Sequence, residues 1–169
     1  MSGVTTNIPS SVDNELYNRI NIMFISYSIN AMVIFIKYFF SSAMGRNPNN
    51  RPAEDKMEKV DENDESIKRK WRITANDVEN IPIDMSVFFI AFLITCFAVL
   101  SKQGENEAFG LTVLICIYTF ARIMFMIFYL TKAQPWRTIA FIIGKISTLC
   151  ALGIMVSSAF KVNFALFAK

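Results

Sequence analysis

Four apolar segments, each close to the length of a membrane-crossing helix, constrain this chain more than anything else in its sequence. They run over about residues 20–44, 83–100, 108–130 and 138–160. A helix rises about 1.5 Å per residue, so about 20 apolar residues cross a hydrocarbon core about 30 Å thick. The ten-residue alternation of a membrane β-barrel is missing. In lipid, moreover, every backbone N–H and C=O must be satisfied within its own segment, which favours helices. The connections are of two kinds. Residues 45–72 form a long charged stretch with eight Lys/Arg and seven Asp/Glu, whereas Ser101–Glu107 and Thr131–Trp136 are short. Short connections make consecutive helices antiparallel neighbours. The sequence therefore predicts an all-α membrane protein, an up-down four-helix transmembrane bundle, organised as a single domain over residues 1–169 and embedded in a lipid bilayer.

Composition agrees. Hydrophobic residues make up 53% of the chain and charged residues 18%, against about 25% charged in a typical soluble domain. A net charge of +3 points to no nucleic-acid partner. The polar stretch before the first span holds Asp13, Glu15 and Arg19 and lacks a basic leader and small-residue cleavage site, so the first span is expected to be retained. Cys96, Cys116 and Cys150 all lie in apolar runs, and the chain has no histidine. That excludes a Cys/His zinc site, and no metal is expected. The thiols are expected to pack as small hydrophobes. No internal repeat is evident, and the acidic run Glu54–Glu65 reads as a solvated loop or helix turn.

The distribution of basic residues sets an orientation. The first and third connections, with their flanks, hold ten Lys/Arg, and the opposite face holds four: Arg19, Lys102, Lys161 and Lys169. The positive-inside rule places the two basic connections, including the charged loop 45–72, in the cytosol.

Three cations lie within the apolar runs: Lys37, Arg122 and Lys145. Such charges are costly in lipid and usually face a bundle interior or a polar cavity. Arg122 stands eight residues from Leu130, about 12 Å along a helix, which is deep for snorkelling. Tyr129 follows seven residues later on the same face. Lys37 and Lys145 read equally well as snorkelling or functional. A second group precedes the second span: Arg72, Asn76 and Glu79 are spaced four and three apart and share one helix face. That face offers a cation, an amide and a carboxylate, suited to a small zwitterion; a basic membrane flank leading into a solvated turn is the alternative. A third group is Tyr129-Leu130-Thr131 followed by Pro135-Trp136-Arg137-Thr138. Arg137 opens the last helix, where backbone N–H groups are expected to add to a field that favours an anion such as a thiolate.

Taken in order, these motifs resemble the membrane-associated proteins in eicosanoid and glutathione metabolism, the MAPEG family. The resemblance rests on Arg72-x-x-x-Asn76-Asp77-x-Glu79-Asn80-Ile81-Pro82, Ala121-Arg122-Ile123, Tyr129-Leu130-Thr131, Pro135-x-Arg137 and Asn47-Pro48, over about residues 20–160. It is closer to the family's glutathione transferases than to its prostaglandin E synthases. The resemblance implies a homotrimer that binds glutathione between subunits near the cytosolic side. It implies that Arg72, Asn76, Glu79, Arg122 and Tyr129 bind glutathione, that Arg137 stands near the sulfur, and that Thr138 offers a hydroxyl. The sequence also departs from the family pattern. Thr74 stands where the family commonly has histidine, Asn49-Asn50 replace an acidic pair, and Phe125, Met126 and Phe141 replace polar residues of the synthases.

The expected function is therefore membrane-bound glutathione transfer or peroxidation, with glutathione as co-substrate and a lipophilic small molecule as its partner. The location implied is the endoplasmic reticulum membrane, or alternatively a mitochondrial membrane. The competing reading is a catalytically inactive structural subunit of a larger membrane complex. A channel or transporter rests only on the three intramembrane cations.

Overall fold

The computed structural model describes residues 11–44 and 65–167. They form four helices: α1 (Ser11–Met44), α2 (Glu65–Leu100), α3 (Glu105–Leu130) and α4 (Trp136–Phe167). Each is long and apolar enough to cross a membrane. The up-down bundle expected from the short connections is present.

The helices run past the apolar segments, α1 starting at Ser11 and α4 ending at Phe167, and the largest difference is at the start of α2. Residues 65–72, expected within the charged connection, are the first two turns of α2. Glu, Lys and Arg are good helix formers, and no Gly or Pro interrupts this stretch. Ile67 and Trp71, four apart, are both partly buried, so the basic flank has an apolar side along α2. Asn47-Pro48, Asn49-Asn50 and the acidic run up to Asp64 lie outside the described residues. Pro82 sits inside α2 without ending it, which membrane helices tolerate because neighbours satisfy the freed backbone.

The packing places α2 and α3 at the centre. α1 touches both, α4 touches both, and α1 and α4 do not meet among the described residues. The core joins Phe88, Ala91 and Val99 of α2 to Leu111, Ile115 and Tyr118 of α3, with Met23 and Ile34 from α1 and Ala151 from α4. Phe24, Phe35, Phe39, Phe97, Phe109, Phe120 and Phe160 all point outward, as lipid-facing side chains should. Lipid tails are as apolar as these side chains, so close packing and polar links must hold the helices together. Thr95 and Ser158 share a buried hydrogen bond of 3.1 Å between α2 and α4. The Thr74 hydroxyl donates to the Ser41 carbonyl at 2.6 Å, joining α2 to α1. At the opposite end, Lys161 meets Glu107 at 2.6 Å and Arg19 meets Glu105 at 3.5 Å.

The α2–α3 turn depends on Gly104. A Cβ there would lie 2.7 Å from the Val99 nitrogen and 2.8 Å from the Ala98 carbonyl carbon. Both are backbone atoms in α2 and cannot swing aside. Gly104→Ala is expected to cost about 1–3 kcal/mol, the usual range for overpacking. A thermal melt of the detergent-solubilised variant checks this, with a fall in midpoint on the order of 5 °C.

Candidate functional site

α2 carries Asp77 and Asp84 seven residues apart, hence on one face, and both are buried. Asp77 pairs with Lys37 of α1 and with the Arg122 guanidinium of α3 at 2.8 Å. Arg122 also donates to the Asn76 side-chain oxygen at 3.1 Å. Asp84 pairs with Lys145 of α4 at 2.9 and 3.0 Å and accepts a hydrogen bond from the Tyr118 hydroxyl at 3.2 Å. The three cations of the spans thus share two carboxylates. Arg122 is only 1% exposed, so it does not snorkel, and its Nε has no hydrogen-bond partner. Lys37 and Lys145, which the sequence left between two readings, are held by these carboxylates instead of reaching for the interface. In the sequence Asp77 stands out only as part of the family-like motif and Asp84 not at all, and neither is matched there to a cation. The signal was present: three cations in apolar runs need counter-ions, and two aspartates at heptad spacing in one helix supply them.

Above this layer, at the basic end of the bundle, lie two adjoining clefts. The larger, about 360 Å³, is bounded by Glu65, Arg69 and Arg72 of α2, by Phe128 and Tyr129 at the end of α3, and by Lys132, Gln134 and Arg137 around the α3–α4 turn. The smaller, about 240 Å³, is bounded by Asn76, Phe125, Tyr129, Arg137, Thr138 and Phe141. Tyr129 and Arg137 line both and so join them. The Arg137 guanidinium lies 4.5 Å from the centre of the Tyr129 ring. Stacking of this kind covers a face of the guanidinium and leaves its N–H edges for a ligand. Phe125 packs against Tyr129 at 5.6 Å and against Phe141 at 5.9 Å between ring centres, which gives the smaller cleft an aromatic wall.

The α3–α4 turn sets these positions. Thr131 N–H closes onto the Ile127 carbonyl at 2.9 Å, and Lys132 takes a left-handed backbone, φ 62°, as residues just past a helix end often do. The first amides of α4 are engaged within this turn. The N–H groups of Arg137, Thr138 and Ile139 are already bonded, the first to the Ala133 carbonyl and the other two to the Pro135 carbonyl. These amides therefore have no free N–H to offer, and Arg137 and Thr138 line the smaller cleft.

Of the residues expected from the sequence, Arg72, Asn76, Tyr129, Arg137 and Thr138 come together around the two clefts. Arg122 stands behind Asn76 and lines neither. Because Asn76 Oδ1 accepts from Arg122, the two N–H donors of the amide remain for other partners. Glu79 is exposed and lines neither cleft of its own chain. The carboxylate that does line the larger cleft is Glu65, which sequence reasoning had placed in the loop. Arg69, Lys132, Phe125 and Phe141 were also missed as lining residues. Thr74 is engaged with α1 through the Ser41 carbonyl and lines neither cleft.

A protein-family model described as "MAPEG family" matches residues 21–157 of the chain. No curated protein and no solved structure matches it significantly.

Proposed function

The chain belongs to the MAPEG family, and from this we propose that it is a membrane-bound glutathione transferase, with peroxidase activity toward lipid hydroperoxides, of the kind found among the family's glutathione transferases. The observation that carries the reading is the convergence of Arg72, Asn76, Tyr129, Arg137 and Thr138, from three helices, on two joined clefts. Glutathione fits what these residues offer. It has two carboxylates, an ammonium and a thiol; the clefts have arginines, a carboxylate, an amide and a hydroxyl. The larger cleft lies within the usual range of about 300–1,000 Å³ for small-molecule sites.

In this reading Arg72 holds a carboxylate of glutathione by charge-assisted hydrogen bonds. Glu65 receives the ammonium; Glu79, exposed on α2, would serve the same role for a neighbouring copy in a homotrimer. Arg122 acts through Asn76 by holding its amide in one orientation. Arg137 and Thr138 face the sulfur. A free thiol has a pKa near 8.5, and each unit of lowering requires about 1.4 kcal/mol of preference for the thiolate. A partly desolvated guanidinium and one hydroxyl donor supply one or two such units. The thiolate then displaces a leaving group from a lipophilic electrophile, or attacks the terminal oxygen of a hydroperoxide, breaking the O–O bond to release the alcohol and leave the sulfenic acid of glutathione, which a second glutathione converts to the disulfide and water. The aromatic wall of Phe125 and Phe141 gives such a molecule a surface at the bilayer's edge. The basic end would face the cytosol, in the endoplasmic reticulum or a mitochondrial membrane.

The test is a glutathione titration of the purified protein in detergent, with conjugation to an aryl halide as second readout. Arg72→Gln is expected to weaken glutathione binding about tenfold or more, the usual loss for a hydrogen bond to a charged group. Wild-type protein that neither binds nor conjugates glutathione would overturn the proposal.

A further inference from the structure

The larger cleft carries more positive charge than a glutathione-sized zwitterion can match. Among the described residues four cations line it, Arg69, Arg72, Lys132 and Arg137, against one carboxylate, Glu65. No ion pair involves any of these four among the described residues. Glutathione carries one net negative charge, so with it bound the cleft still holds surplus positive charge. A basic membrane flank does not account for the arrangement. Lys68 and Lys70 belong to the same flank and stay out of this cleft, whereas Arg69 and Arg72, three apart, turn one face of α2 into it. Lys132 and Arg137 approach from the other side, from the end of α3 and the start of α4. The cations thus surround a volume instead of forming a strip. Guanidinium groups bind phosphate oxygens through paired N–H donors, and lysine adds a compact charge.

We infer that the mouth of this cleft, at Arg69 and Lys132, binds a ligand bearing two or more phosphates. Its position where α3 ends and α4 begins puts it at the level of lipid headgroups, so the phosphates come either from an anionic lipid or from a soluble polyphosphate. The inference rests on the glutathione reading only for the charge left over; Arg69 and Lys132 are given no glutathione contact in that reading.

The experiment uses the full chain in phosphatidylcholine nanodiscs, with and without phosphatidylinositol bisphosphate, and separately in detergent with tripolyphosphate. Calorimetry measures tripolyphosphate binding, and native mass spectrometry counts phosphoinositide retained. Wild-type protein is expected to bind tripolyphosphate with an affinity that falls as salt rises. The double variant Arg69→Gln/Lys132→Gln is expected to lose about tenfold or more of that affinity, while its glutathione titration shifts less than about twofold. Arg69→Lys/Lys132→Arg, which keeps the charges, should retain most of the binding. Retained phosphoinositide that excludes tripolyphosphate identifies the lipid as the source; tripolyphosphate binding without retained lipid identifies a soluble one. No binding of either probe to wild type, or undiminished binding to the glutamine variant, overturns the inference. So does a variant that loses phosphate and glutathione together, since the cleft would then be a single site. Wild-type protein that binds tripolyphosphate but not glutathione overturns the transferase reading alone.

Discussion

Asp77→Asn is expected to leave little or no folded protein after extraction into detergent, while Lys37→Met gives a bundle close to wild type. The asymmetry comes from the way Asp77 is shared. Its carboxylate is fully buried and meets both Lys37 and Arg122. Asparagine has nearly the same shape, so packing is preserved and only the charge goes. Two cations are then left without a counter-ion: Arg122, 1% exposed, and Lys37, 4% exposed. Breaking a buried pair by removing one partner typically costs about 3–5 kcal/mol, because a buried charge is left uncompensated. Here one substitution does this to two cations, against a total stability on the order of 5–15 kcal/mol for an ordinary domain. Lys37→Met removes one cation from three buried groups. Asp77 keeps Arg122, the charges balance, and methionine fills the space with a flexible apolar chain. Size-exclusion profiles and thermal melts of the two variants decide the matter. A well-folded Asp77→Asn protein with a melting point near wild type would show that the ion cluster does not hold the bundle.

That cluster also marks where sequence reasoning stopped. Span number, topology and approximate span limits follow from hydropathy and connection length, because lipid imposes length and backbone satisfaction on each segment separately. Arg122 stood out for the same reason: a single charge in an apolar run is conspicuous within its own helix. Its partners were not, since pairing Lys37 with Asp77, or Lys145 with Asp84, requires knowing which helices touch and at what height. Asp77 was visible as part of a motif and Asp84 as an ordinary span residue, and neither was matched to a cation. The limits of α2 were hidden for a different reason. The stretch from Glu65 to Arg72 is charged enough to read as loop, yet it has good helix formers and partly buried Ile67 and Trp71 at helical spacing. Placing that stretch on α2 brings Glu65 and Arg69 to the larger cleft. Most of the proposed glutathione contacts were legible as motif residues. The clefts' shape was not, because Phe125, Phe141 and Lys132 line them through contacts between helices.

Arg137→Ala is expected to lower kcat/KM for conjugation by about 10²–10³-fold at neutral pH, the range found when a donor aimed at developing negative charge is removed. If Arg137 acts on the sulfur as proposed, the loss has a pH signature that separates it from simple damage to binding. The guanidinium favours the thiolate over the thiol, so removing it raises the pKa of bound glutathione back toward the free value near 8.5. Below that pH the thiolate fraction falls roughly tenfold per pH unit, so the deficit is largest near pH 7. It should narrow as the pH rises past about 9 and the thiol ionises unaided. Part of the loss should remain there, because the cation also orients the sulfur. The affinity for glutathione should change little, since Arg72 and Glu65 would still hold the carboxylate and ammonium ends. Arg137→Lys keeps a charge but gives up the flat surface stacked 4.5 Å over Tyr129, and so should recover only part of the rate. The measurement is a pH–rate profile for wild type and both variants, paired with glutathione titrations. A uniform rate loss across pH, or a loss confined to glutathione affinity, would remove Arg137 from the sulfur and leave it as one more anchor for the carboxylates.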